Sequence, residues 1–190
     1  MNHPIIEYGQ AIICEMGHVI SADADNHVLS SVKYCPQCGS SCISKCPSCG
    51  AIIRGNPYHL VTGSICSSTD IWNSGATHEA QQRLMRLKVN SKFRIPAYCY
   101  NCGNPYPWTE QLLEECSGIV DLIGELNDEQ KKQLKECFPA LICETPQTAR
   151  MSIIASKLIK ISSTLAQNAL QNILADRLSQ FVLHMLGWLS

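Results

Sequence analysis

The feature that most constrains this 190-residue chain is a cysteine unit that occurs three times: Cys35-Pro-Gln-Cys38-Gly39, Cys46-Pro-Ser-Cys49-Gly50 and Cys99-Tyr-Asn-Cys102-Gly103. Two thiolates three residues apart can share one tetrahedral ion at about 2.3 Å each, and the turn between them aims backbone N–H groups at the sulfurs. The glycine after the second cysteine admits the positive φ that closes such a turn. Each unit is therefore half of a zinc site, and three halves require a fourth pair. Cys14-Glu-Met-Gly-His18 supplies it as a Cys-x-x-x-His hook. Two Zn²⁺ sites are expected. In the sequential pairing, Cys14, His18, Cys35 and Cys38 surround one ion and Cys46, Cys49, Cys99 and Cys102 the other. A cross-brace, in which first and third pairs share an ion, is the alternative. Sites closed by four protein ligands are structural, because a catalytic zinc keeps a position open for water.

Twelve cysteines would suit a disulfide scaffold in a secreted chain, but Met1 to Gln10 (MNHPIIEYGQ) has neither a basic n-region nor an apolar h-region. A reducing, cytoplasmic setting is expected. The most apolar stretch, FVLHMLGWL from Phe181 to Leu189, contains His184 and falls far short of the roughly 20 apolar residues that span a bilayer. Five cysteines remain outside the eight candidate ligands. Cys42, between two knuckles, is an alternative ligand, though Cys46 already belongs to a complete unit; Cys66, Cys116, Cys137 and Cys143 read as small buried hydrophobes.

Catalytic signals are missing. Nothing local marks a Cys66 pair with His78 or His59, and His78-Glu79 is no zincin motif because position 82 is Gln. His3, His27, His59 and His184 lack partners at metal spacing, and no phosphate-binding loop or nucleophile elbow is present. A non-enzymatic protein without a small-molecule substrate is expected.

Composition divides the chain near Trp108. Nine of the twelve cysteines precede it, with Gly, Pro, Ser and Asn and short β-prone runs (IIEYGQAII, HVISA, AIIRG), whereas helical periodicity follows. The expected class is α+β: a small β-rich double zinc ribbon over 1–108, with a basic insert at about 56–95, then an α-helical bundle over 109–190. The net charge of −1 excludes a histone-like or acidic-tail protein but hides local fields. Residues 80–109 carry five cations and no acid; residues 110–145 carry nine acids against three lysines.

The five cations are Arg83, Arg86, Lys88, Lys92 and Arg94. Thr77 reads as the cap of a basic amphipathic helix running to about Lys88, with Arg83 and Arg86 adjacent at i, i+3. Tyr98, Tyr100, Tyr106 and Trp108 follow, so cationic and aromatic groups interleave as single-stranded nucleic-acid platforms require. Against that stands packing of the aromatics into the ribbon core, which is the weightier reading.

In the second half, Thr109 reads as an N-cap followed by Leu112, Leu113, Cys116, Ile119, Val120 and Ile123 at helical spacing. Asn127 with Gln130 resembles a capping box for a second helix, expected to end near Phe138-Pro139. Thr145-Pro146 starts a third, with a possible break at Ser162-Ser163-Thr164 before one long last segment. That segment is apolar on more than one face; cover by the bundle core and the zinc half is the first reading, self-association the second and interfacial membrane contact the least.

The order Cys14-x-x-Gly-His18, Cys35-x-x-Cys38-Gly, Cys46-Pro-x-Cys49 with Ile53-Arg54-Gly55, and Pro96-x-Tyr98-Cys99-x-x-Cys102-Gly-x-Pro105-Tyr106-Pro107-Trp108-Thr109 resembles a family of uncharacterised bacterial zinc-ribbon proteins classed as a domain of unknown function. Thr145-Pro146-x-Thr148 extends the likeness into the second half. The resemblance implies a bacterial, cytoplasmic zinc-ribbon protein and supports the eight ligands; it carries no activity. The stretch from Pro57 to Val89 is longer than expected for it, and Cys42 stands where a non-ligand is usual. Together these readings point to a zinc-binding adaptor or scaffold that binds a macromolecular partner and self-associates. A nucleic-acid-binding ribbon is the alternative, and a membrane-acting effector a further one.

Overall fold

The structure, a computed structural model, describes residues 5–24, 32–64, 82–88 and 93–189. Antiparallel strands fill the N-terminal half and helices the C-terminal half, an α+β chain. Two compact units result: a β-rich one of Met1–Cys14, His18–Cys46 and Gly50–Arg94, and a helical one of Glu15–Gly17, Pro47–Cys49 and Ile95–Ser190.

Among the described residues, six strands form two three-stranded antiparallel sheets. The first has the order β1-β5-β6, from Ile5–Gln10, Arg54–Ser64 and Gln82–Lys88; the second has the order β3-β2-β4, from Val19–Ser21, Ile12–Cys14 and Cys42–Ile43. The run IIEYGQAII thus serves both sheets, changing from one to the other at fully buried Ala11, whose N–H donates to the Ile53 carbonyl at 2.8 Å. Gly55 is required where these layers meet. A Cβ there would lie 2.1 Å from the Ala22 carbonyl oxygen, the same oxygen that accepts the Asn56 N–H at 2.8 Å.

The basic helix expected up to Lys88 is not formed. Gln82–Lys88 is strand β6, paired with β5 from Ser64↔Gln82 to Tyr58↔Lys88. Seven consecutive ladder pairs outweigh a helical pattern that rested on Ala80, Leu84 and Leu87 with Arg83 and Arg86. Positions 83 and 86 are therefore strand positions and not i, i+3 neighbours of a helix. The proposed cap at Thr77 lies outside the described residues.

The helical unit has five helices: α1 Pro107–Leu122, α2 Asp128–Ile142, α3 Thr148–Ile161, α4 Thr164–Leu174 and α5 Gln180–Leu186. Their apolar stripes meet in one core that includes Val120, Leu134, Phe138, Ala155, Ile159, Leu170, Leu174 and Val182. The Asn127 capping box is present, Asn127 Oδ1 accepting the Gln130 N–H at 2.8 Å and Gln130 Oε1 the Asn127 N–H at 3.0 Å. Ser163 caps α4 after the break at 162–164.

Several boundaries differ from the sequence expectation. Helix α1 starts at Pro107, so Thr109 is no cap; its buried hydroxyl donates to the Ala97 carbonyl at 2.8 Å. Helix α2 runs through Pro139 to Ile142, because buried Phe138 and Leu141 flank an exposed proline near the helix end, where one lost hydrogen bond is outweighed by packing. Helix α3 begins at Thr148, with Thr145 instead accepting the Gln147 N–H on its hydroxyl. The long last segment is two helices, the second capped by Ser179, whose hydroxyl accepts the Val182 N–H at 3.3 Å.

Candidate metal centres

Three copies of one local structure carry six of the eight candidate ligands. In each, the first cysteine's N–H donates five residues ahead: Cys35 to Ser40 at 2.8 Å, Cys46 to Ala51 at 2.7 Å and Cys99 to Asn104 at 2.8 Å. The glycine N–H returns to the first cysteine's carbonyl, with Gly39, Gly50 and Gly103 all at φ +74°. An L-residue rarely adopts that backbone, so the glycine after each C-x-x-C is demanded by the turn. A single bridge closes each knuckle: Tyr34↔Ser41, Lys45↔Ile52 and Tyr98↔Pro105. Gln37 N–H lies 3.4 Å from Cys35 Sγ, and Asn101 N–H 3.4 Å from Cys99 Sγ.

The hook is built differently. Strands β2 and β3 make a tight hairpin whose turn contains Gly17 at φ +85°; Cys14 N–H donates to the His18 carbonyl at 3.0 Å and His18 N–H to Cys14 Sγ at 3.2 Å. The turn thereby directs both side chains the same way.

The eight side chains fall into two groups, Cys14, His18, Cys35, Cys38 and Cys46, Cys49, Cys99, Cys102, with the ligand atoms of each within 4.8 Å of one another. This is the sequential pairing, not the cross-brace. In the first group His18 Nδ1 lies 3.5, 3.6 and 3.3 Å from the sulfurs of Cys14, Cys35 and Cys38, and the Cys14 and Cys38 sulfurs are 3.8 Å apart. In the second, the Cys49 and Cys99 sulfurs are 3.7 Å apart. A tetrahedral ion at ~2.3 Å from sulfur and ~2.0 Å from nitrogen needs sulfur–sulfur edges of ~3.8 Å and sulfur–nitrogen edges of ~3.6 Å. Both groups fit such an ion, and no disulfide joins the described cysteines.

Two supporting donors escaped the sequence reading. Ser40 pulls the exposed Cys38 thiol down to about 6, through its hydroxyl first and its backbone N–H second, so this group is thiolate at neutral pH. Asn101 Nδ2 reaches Cys49 Sγ at 3.6 Å. Their only sequence signal is a polar residue inside or just after a knuckle.

Cys42 is in neither group; burial and the nearby Cys35 and Cys38 sulfurs push its thiol up. Cys66, with His3, His27 and His78, lies outside the described residues. Cys116 and Cys137 belong to the helical core, where burial, aided by Glu115 and Glu136 respectively, pushes them up to about 12 and about 11. Because the folded state favours the neutral thiol, that stability is present below a thiol's ordinary 9.0 and is lost as pH rises toward 11–12. Alkylation with iodoacetamide at pH 8 is expected to spare both until denaturant is added, as peptide mass mapping will read; rapid labelling of either in the native protein would contradict their placement.

Of the basic strip, Arg83, Arg86 and Lys88 lie on β6, Lys92 is outside the described residues, and Arg94 is exposed. The aromatics are not a free platform: Tyr106 and Trp108 are buried and stack on each other at 4.6 Å, with Trp108 Nε1 donating to the Pro96 carbonyl at 2.8 Å, while Tyr100 is half-exposed.

A family model described as "Uncharacterized protein conserved in bacteria (DUF2321)" matches residues 7–71 and 64–186. The chain belongs to this family. Its match spans both metal groups and nearly all of the helical unit, so the family takes in the ribbon and the helices together. No curated protein and no solved structure matches it. Among the described residues no helix is long and apolar enough to cross a membrane.

Proposed function

We propose that the chain is a non-enzymatic zinc-binding scaffold that presents a macromolecular binding surface and self-associates through its helices. The observation that carries this reading is the closure of both metal groups by four protein side chains, three thiols with one imidazole and four thiols, which leaves no position for a reacting water. Zinc suits these donors and the tetrahedral edges. Bound there, it supplies folding free energy; the protein's own donors, Ser40 and Asn101 among them, hold the sulfurs in place.

The helical unit supports association. Helix α3 turns Arg150, Ile153, Lys157, Lys160 and Ile161 to solvent and contains no acid, while exposed Glu110, Glu114, Glu115, Glu125 and Glu129 lie in the acidic 110–145 segment. A cationic, half-apolar helix and a segment rich in exposed acids on one unit give two copies opposite charges to pair. Sedimentation velocity across concentration and salt tests this. The expected result is an oligomer that weakens as salt rises and is lost in the Lys157→Glu, Lys160→Glu double variant. A monomer at every concentration and salt contradicts self-association.

Nucleic-acid binding is kept as a second reading because three cations occur within seven residues on β6, an edge strand of its sheet. Fluorescence anisotropy with single-stranded and duplex oligonucleotides separates the two. Binding that falls steeply with salt and is lost when Arg83, Arg86 and Lys88 become Glu establishes the second reading. Absence of binding at low salt removes it.

A further inference from the structure

Cys14 and Cys42 stand directly opposite each other in the β2–β4 ladder. Neither backbone N–H closes that pair: Cys14 donates to the His18 carbonyl at 3.0 Å and Cys42 to the Lys33 carbonyl at 2.9 Å. The pair is thus of the non-hydrogen-bonded kind, in which Cα atoms approach to about 4.5 Å and facing side chains leave on the same side of the sheet. That separation lies within the range of about 4.4–6.8 Å that a disulfide spans. Cys14 is a member of the first metal group and Cys42 of neither. A cysteine that holds no metal therefore faces one that does.

We propose that Cys14 and Cys42 form an oxidation site for hydrogen peroxide, whose product, a cross-strand disulfide, removes a ligand from the first metal. The proposal rests on reading that group as a metal site. Cys42 is the point of entry because, outside both metal groups, its sulfur would share no lone pair with an ion as the ligand sulfurs, exposed Cys38 included, would; it is half-buried and lines a cavity of about 350 Å³ with Gln10, Lys33, Tyr34 and Ser44, whereas Cys14 is fully buried. The Cys42 sulfur attacks one peroxide oxygen, the O–O bond breaks, and the thiol proton leaves with the departing hydroxide as water, giving a sulfenic acid. The Cys14 thiolate then attacks the Cys42 sulfur; the S–S bond forms, the S–O bond breaks and hydroxide leaves. Peroxide gains the two electrons that the sulfurs lose. His18, Cys35 and Cys38 are left as a three-ligand remnant that no longer closes around an ion.

The test treats the full-length, metal-loaded protein with hydrogen peroxide. Metal release is followed with a chromogenic chelator, and disulfides are mapped by non-reducing peptide mass spectrometry after alkylation. The expected result is a Cys14–Cys42 link accompanied by release of one metal equivalent. Cys42→Ser, which keeps its metal content, loses the link and releases that metal several-fold more slowly. The proposal is overturned if the first disulfide joins Cys35 to Cys38 or Cys14 to Cys38, or if Cys42→Ser releases metal at the unaltered rate. A protein that binds no metal overturns the metal-site reading instead, and mapping the oxidised metal-free chain then still decides whether Cys14 and Cys42 pair.

Discussion

Stripping metal with excess chelator is expected to unfold the β3-β2-β4 sheet and the three knuckles while the helical far-ultraviolet signal survives. Strands β2, β3 and β4 are only two or three residues long, and each knuckle is closed by one isolated bridge. Among the described side chains, the buried apolar residues near the metal groups other than cysteines are Ala11, Ile12, Ile13, Ala24, Ile53 and Tyr58. Elements that short do not hold themselves together in water. A structural zinc contributes on the order of 10 kcal/mol apparent at pH 7. Cys35→Ser and Cys99→Ser, one from each group, are each expected to lose one metal equivalent and to behave as partly stripped protein. Limited proteolysis with and without chelator reads the outcome. If the stripped chain resists protease as well as the loaded one, the metals do not hold the fold.

The helical unit answers to a different change. Phe138 is fully buried in the common core with Leu134 and Leu141, and Phe138→Ala is expected to cost ~3–5 kcal/mol through lost transfer energy and the cavity left behind. That is a large share of the ~5–15 kcal/mol by which domains are stable, so the helical signal melts at much lower urea concentration. Metal content stays unchanged, because no ligand lies on α1 to α5. A loss under about 1 kcal/mol in urea titration contradicts the core packing described.

The two changes mark where the sequence was legible. Knuckles are local: cysteine spacing and the following glycine dictate them, and Gly39, Gly50 and Gly103 share one φ value. The pairing does not follow proximity along the chain, since Cys38 and Cys46 fall in different groups while Cys49 and Cys99 share one. Caps were legible where a side chain does the capping, as at Asn127, and illegible where the proline geometry of Pro107 starts the helix without one. Pro139 misled because its cost depends on what its neighbours bury. The strand at 82–88 was hidden for the same reason, since β5, not local periodicity, decides its conformation. Ser40 and Asn101, which tune the sulfurs, become visible only once the knuckles are folded.

The most direct measurement is metal stoichiometry by elemental analysis of the purified full-length chain, joined to X-ray absorption at the metal edge. Two zinc ions per chain are expected, with an average shell of three and a half sulfurs and half a nitrogen, from Cys14, His18, Cys35 and Cys38 at one site and four cysteines at the other. One ion or none, or a shell with an oxygen from water, contradicts two closed structural sites.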